Sequence, residues 1–168
     1  MIGNDIVDLA LARKESNWKR KGYLSKIFSD EEQLLILQSK NPENYVWILW
    51  SMKEASYKIF NRDTGIRGYF PLKLKIFNID FKNDFITGKV ICGKKIYKTK
   101  TIVNQPYIYT IAVKDNSHFD NLIEIENSKI QKDELGRPFY FNENASQNMP
   151  VSKTHHGRFQ KIISILKA

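Results

Sequence analysis

Asn41-Pro42 marks a stop and a new start in the chain, because proline ends one helix and suits the first turn of the next. From there one long helix is expected to about Phe60, ending before Gly65. Its middle, VWILWSMKEASYK at 46–58, runs from Trp47 and Trp50 straight into Lys53-Glu54 and Lys58. Glu54 and Lys58 stand four apart in the favourable order, so an exposed ion pair of a few tenths of a kcal/mol (~0.3–0.5) explains them. The other reading is that they hold something charged that the protein partly encloses.

Whatever surrounds this helix must pack on it, and the period of the chain says what does. IGNDIVDL (2–9) reads as a short strand bearing acids. LALARKES has helical propensity, with a break at Gly22, and Ser29 with Glu32 forms a capping box for a helix through SDEEQLLILQSK. From Phe70 the period becomes two: Leu72, Leu74 and Ile76 alternate with lysines in LKLKIF. GKVICG and KKIYKTKTIV flank a Gly93-Lys94 turn as a hairpin, and YIYTIAVKD follows the Asn104-Gln105-Pro106 turn as a further strand. LIEIENSKIQ resumes a strand, DELGRP turns, FYF is extended, and NENASQNMP reads as a loop. VSKTHHGRFQKIISILKA fits a helix by spacing and a buried strand by its β-branched content. The expected class is α+β, a single domain over residues 1–168 with an antiparallel sheet packed on the long central helix.

Composition narrows the partners. With 27 Lys+Arg against 18 Asp+Glu, the net charge of +9 draws anions: nucleic acid, anionic lipid, phosphorylated cofactors or acidic proteins. The single cysteine, Cys92, excludes an internal disulfide and a cysteine-based zinc site. No apolar run approaches the roughly 18 residues of a membrane span, and the start lacks the look of a signal peptide, so a cytoplasmic protein is expected.

Singly, the charged groups have ordinary explanations. Asp5 ends a strand, Glu32 belongs to its capping box, and His155 and His156 suit a polar loop. Together, GNDIVDL, WSMKEASYK, LGRP and VSKTHHGRF resemble the marks of the phosphopantetheinyl transferases: a Gly-x-Asp-Ile strand, a Trp-Ser-x-Lys-Glu helix with a lysine four residues on, a Gly-Lys-Pro turn and a Ser-His segment. The motif order, Asp first and His last, is that of the single-lobed holo-acyl-carrier-protein synthases, while 70–114 look like a surfactin-type sheet extension.

The resemblance implies Mg2+-dependent transfer of 4′-phosphopantetheine from coenzyme A to a serine of an acidic acyl- or peptidyl-carrier protein, as in fatty acid biosynthesis, with release of 3′,5′-ADP. Asp5 and Glu54 match the metal ligands; Lys58 matches the phosphate lysine, with Lys53 beside it assigned to the cofactor. Arg137 of Gly136-Arg137-Pro138 and His155 match nucleotide-phosphate contacts. Glu54, or Glu32 as an outer acid, is a candidate base. Val7 stands where many surfactin-type members carry a second acid, and His156 has no assigned role. One copy of each motif implies a site shared between subunits of a homo-oligomer, a trimer first. The alternative is a nucleic-acid-binding module built on LKLKI and KKIYKTK with Tyr97, Tyr107 and Tyr109. A magnesium nuclease using Asp5, Glu54 and Lys58 is the remoter enzyme reading.

Overall fold

The computed structural model describes residues 1–166. Strand β1 (Ile2–Asp8) is followed by helices α1 (Leu9–Glu15), α2 (Tyr23–Ile27), α3 (Asp30–Gln38) and α4 (Pro42–Thr64). Strands β2 (Lys75–Phe81), β3 (Ile86–Cys92), β4 (Lys95–Val103) and β5 (Tyr107–Val113) come next. The C-terminal third holds β6 (Leu122–Glu124), β7 (Ile130–Lys132), β8 (Pro138–Asn142), β9 (Gln147–His156) and β10 (Phe159–Ile165).

The local signals act as the sequence suggests. Ser29 and Glu32 exchange both capping-box bonds at the start of α3. Asn41 caps α4, Pro42 sits in its first turn, and Gly65 takes the left-handed conformation (φ 69°) that closes it at Thr64, a turn beyond Phe60. Three segments differ from expectation. Pro71–Lys73 forms a 3-10 turn, so the LKLKIF strand begins only at Lys75. Gln147–Pro150, expected in a loop, already pairs with β8 as the first part of β9. LIEIENSKIQ, expected as one strand, is broken by a 3-10 turn at Asn127–Lys129 into β6 and β7. Of the two readings left open for the C-terminus, the structure has the strand: β9 pairs with β10 in a hairpin turning at Gly157.

All pairings are antiparallel, in two five-stranded sheets rather than the one expected: β1-β5-β4-β3-β2 and β6-β10-β9-β8-β7. Helix α4 lies on the first sheet, where its Leu49, Met52, Ala55 and Ile59 meet Val90, Tyr97, Ile108 and Ala112, all fully buried. Each large apolar side chain so buried contributes about 1.5–3 kcal/mol. At Gly3, β1 presses on this helix so closely that a Cβ would lie 2.0 Å from the Ala55 carbonyl oxygen. Ile2, Val113, Ile163 and Ile165 form a smaller core between the sheets.

The aromatic surface needed for nucleic-acid stacking is not built. Tyr97 is fully buried, Tyr109 is buried with its hydroxyl accepting from the Asn4 amide, and Tyr107 packs on Phe159. Cys92 is buried as a free thiol. Among the described residues, no helix is long and apolar enough to cross a membrane.

Candidate active site

Asp5 sits mid-way along β1, a strand with every residue buried. Helix α4 passes behind it and carries Glu54 and Lys58 on successive turns, so one helix face brings both to the same strand residue. Lys58 Nζ donates to the Asn4 carbonyl at 2.6 Å and to the Lys153 carbonyl at 3.3 Å, and stands 3.9 Å from Asp5 Oδ1. Asp5 Oδ2 is buried with no hydrogen-bond partner.

Burial sets the electrostatics. It pushes the Asp5 carboxyl up to about 6, against the opposing pull of Lys58. Glu54 is pushed up to about 7, first by burial and then by the Asp5 charge. Burial also lowers the Lys58 ammonium. Two carboxylates raised by burial, Glu54 also by the Asp5 charge, with one orphaned oxygen between them, fit a cation site. Among the described residues no cluster of three or more Asp, Glu, His or Cys is suited to a metal. A pair suffices for Mg2+, which takes one or two carboxylates and completes its shell with phosphate and water oxygens.

The cleft over these acids encloses about 280 Å3, and Trp47, Trp50, His155 and His156 line it with Asp5 and Glu54. Trp50 and Glu54 therefore share a face of α4. Tyr69 packs edge-on to both Trp50 and Tyr57, and its buried hydroxyl lies beside Glu54 without a hydrogen bond of good geometry. Lys58, 3.9 Å from Asp5, lines a second and larger cleft of about 770 Å3, whose cations include Arg62, Arg67, Arg137 and Lys153. Arg62 donates to the Pro138 and Val151 carbonyls, tying α4 to β8 and β9. Asp133 holds Arg137 through both its backbone amide and its Nε.

Two residues assigned from sequence lie elsewhere. Lys53 is fully buried, and its Nζ meets Glu32 Oε2 at 2.6 Å, the Ile27 carbonyl at 2.8 Å and the Pro71 carbonyl at 2.9 Å. An ammonium has three donors, so none remains for a cofactor. Glu32 is equally occupied: Oε2 also accepts from Ser29 N, and Oε1 from Ile76 N at 2.8 Å. It joins α3, α4 and β2 and is not free to act as a base.

The C-terminal hairpin bears on a third expectation. It lays β9 along β1, so Asp5, Glu54 and His155 line one cleft within one chain. His155 is exposed at the rim. His156, without a role in sequence, accepts the Asp8 amide on Nδ1 at 2.8 Å, and its Nε2 faces Glu15 at 3.7 Å. Arg158 grips Asp8 with Nε and a terminal nitrogen, at 2.8 and 2.9 Å. The turn between them must be glycine, since a Cβ at Gly157 would meet Asp8 Oδ2 at 2.5 Å. Sequence reasoning also passed over Arg62, although its place four residues beyond Lys58 puts it on the same helix face.

An α+β scaffold with paired carboxylates beside a basic cleft has the donors to handle phosphate esters through a divalent cation. The chain belongs to the 4′-phosphopantetheinyl transferase superfamily, whose family model matches residues 1–112. It is similar to the holo-[acyl-carrier-protein] synthase of Natranaerobius thermophilus, at 34% identity over 67 residues, which are 38% of this chain and 51% of that protein. The chain thus spans about half the length of that curated relative. Its fold is that of the Helicobacter pylori holo-[acyl-carrier-protein] synthase crystallised with coenzyme A: TM-score 0.52, 19% identity, 68% of this chain and all of that one. The synthase of Neisseria meningitidis aligns similarly, with TM-score 0.51, 22% identity, and 68% and 97% of the two chains.

Proposed function

We propose that this protein transfers 4′-phosphopantetheine from coenzyme A to a serine of an acidic acyl- or peptidyl-carrier protein. The observation that carries this is the adjacency of two clefts: Asp5 and Glu54 line one, and Lys58, whose ammonium stands 3.9 Å from Asp5, lines the other with Arg137. Asp5 and Glu54 would hold Mg2+, which would offset charge on the pyrophosphate and on the leaving group. Lys58 meets the phosphates as a point charge, already aimed by two backbone carbonyls. Arg137, with Arg62 and Lys153 in the same cleft, takes the nucleotide phosphates, and His155 meets phosphate from the cleft of Asp5 and Glu54. Glu54, where Mg2+ leaves one of its oxygens free, would accept the serine proton. The serine oxygen then bonds to the phosphorus bearing the pantetheine arm, the bond to the neighbouring phosphate breaks, and 3′,5′-ADP leaves. Arg13, Lys14, Lys19, Arg20 and Lys21 follow β1 in sequence and would favour an acidic partner at the mouth of the smaller cleft.

Incubation of the protein with coenzyme A, Mg2+ and a panel of apo carrier proteins, read by intact mass spectrometry, tests the reading. Phosphopantetheine on a carrier serine is expected; no modification of any acidic carrier at high enzyme concentration would refute it. If Arg137 holds the 3′-phosphate, Arg137→Ala weakens coenzyme A more than dephospho-coenzyme A in a binding titration. Equal losses would remove it from that role.

A further inference from the structure

Strand β9 meets β1 through side chains and not through backbone pairing. The amides of Asn4, Ile6 and Asp8, which face away from β5, donate to Ser152 Oγ at 3.0 Å, Thr154 Oγ1 at 3.1 Å and His156 Nδ1 at 2.8 Å. Every second residue of β9 thus closes one amide of an otherwise open sheet edge. Thr154 is the middle rung, and it does one thing more. Its Oγ1 lies 3.4 Å from Asp5 Oδ1, a long hydrogen bond. A hydroxyl has a single proton. Because the Ile6 amide already fills one of its lone pairs, that proton is left to point at the carboxylate. The β-branched side chain has few rotamers in a strand, and Thr154 is buried.

We infer that Thr154 is a positioning residue for Asp5: it and Lys58 engage Oδ1, which leaves Oδ2 as the oxygen offered to a cation. Asp5 Oδ2 is the carboxylate atom with no partner, and Oδ1 is the one facing both the hydroxyl and the ammonium. The inference rests on the transferase reading in which Asp5 is a metal ligand. It gives the C-terminal sheet, which lies beyond the residues of the family match, a hand in the reacting centre as well as in the nucleotide cleft.

Thr154→Val removes the hydroxyl at nearly constant shape, and Thr154→Ser keeps it. The probe is Mn2+, titrated by electron paramagnetic resonance in the presence of coenzyme A, together with steady-state transfer kinetics. Removing an outer hydrogen-bond partner of a metal ligand lowers metal affinity about 10–100-fold. Thr154→Val is expected to lose that much Mn2+ affinity and to lose kcat, with KM for coenzyme A unchanged because ground-state binding of the nucleotide is left intact. Thr154→Ser is expected to restore both. If Thr154→Val fails to fold, Thr154→Ala is read instead, since its smaller side chain leaves room for water at the Ile6 amide. A folded hydroxyl-free variant with wild-type Mn2+ affinity and kcat overturns the inference, and so does a Ser variant as impaired as Val. Asp5→Ala separates the two levels. If it abolishes Mn2+ binding while Thr154→Val does not, only the role of Thr154 falls. If Asp5→Ala itself binds Mn2+ and turns over normally, the metal reading falls and takes the inference with it.

Discussion

Asp5 and Glu54 are costly residues to bury, and that cost is the clearest physical sign of what they are for. Each is held away from water, and Glu54 also feels the charge of Asp5. Neutralising either one should therefore stabilise the metal-free protein while abolishing transfer. Asp5→Asn and Glu54→Gln are expected to raise the unfolding temperature at pH 8 without Mg2+ and to cut turnover by orders of magnitude. A destabilised, active Glu54→Gln would contradict both halves. Asp8 behaves in the opposite way. The Arg158 guanidinium holds its carboxyl well below the usual carboxylate range. A depressed folded value means that its contribution is full above the unfolded-state pKa of about 3.9 and is lost as pH falls toward the folded value. Wild-type unfolding temperature should thus fall more steeply below pH 4 than that of Asp8→Asn, which should be the less stable of the two at pH 7. Parallel acid limbs in a pH series of melts would show that Asp8 is not the group involved.

At the scale of elements, the Lys53–Glu32 pair explains why the Trp-Ser-x-Lys-Glu helix carries two adjacent charges with unlike fates. Successive residues of a helix point about 100° apart, so Lys53 turns inward to Glu32 while Glu54 turns to the cleft. Breaking a buried ion pair by removing one partner typically costs about 3–5 kcal/mol. Lys53→Met should lose stability of that order in urea denaturation, yet keep its affinity for coenzyme A while folded. A weakened affinity without a loss of stability would return Lys53 to the ligand site. The helices and their caps were legible because capping and proline effects act within a few residues. Asn41-Pro42, Ser29 with Glu32, and Gly65 each did what local chemistry requires. The last strands were not legible, because Phe159, Ile162, Ile163 and Leu166 satisfy helix spacing as well as burial in a strand. Only the pairing of β10 with β6 and β9 chooses between them.

Across the whole molecule, the solved synthases align with about two thirds of the chain and nearly all of themselves. The C-terminal sheet covers the β1 edge and places His155 in the same cleft as Asp5. If the site is complete within one chain, mixing Asp5→Ala with His155→Ala under subunit-exchanging conditions should recover no activity. Specific activity should also stay constant on dilution. Recovery on mixing would mean that intact sites form between chains.

By itself the sequence determined the helix caps, the strand periods and the α+β class, and through its family resemblance it offered Asp5, Glu54, Lys58, Arg137 and His155 as candidates. These follow from short-range stereochemistry and from motifs of adjacent residues. The tertiary structure alone decided which charges are free. Whether Glu32 and Lys53 meet a ligand or each other depends on three elements converging in the core. Whether His155 reaches Asp5 in its own chain depends on a contact about 150 residues long in sequence, made by the Ser152, Thr154 and His156 side chains on β1 amides. No local propensity encodes such a contact, because its energy exists only once both strands are in place.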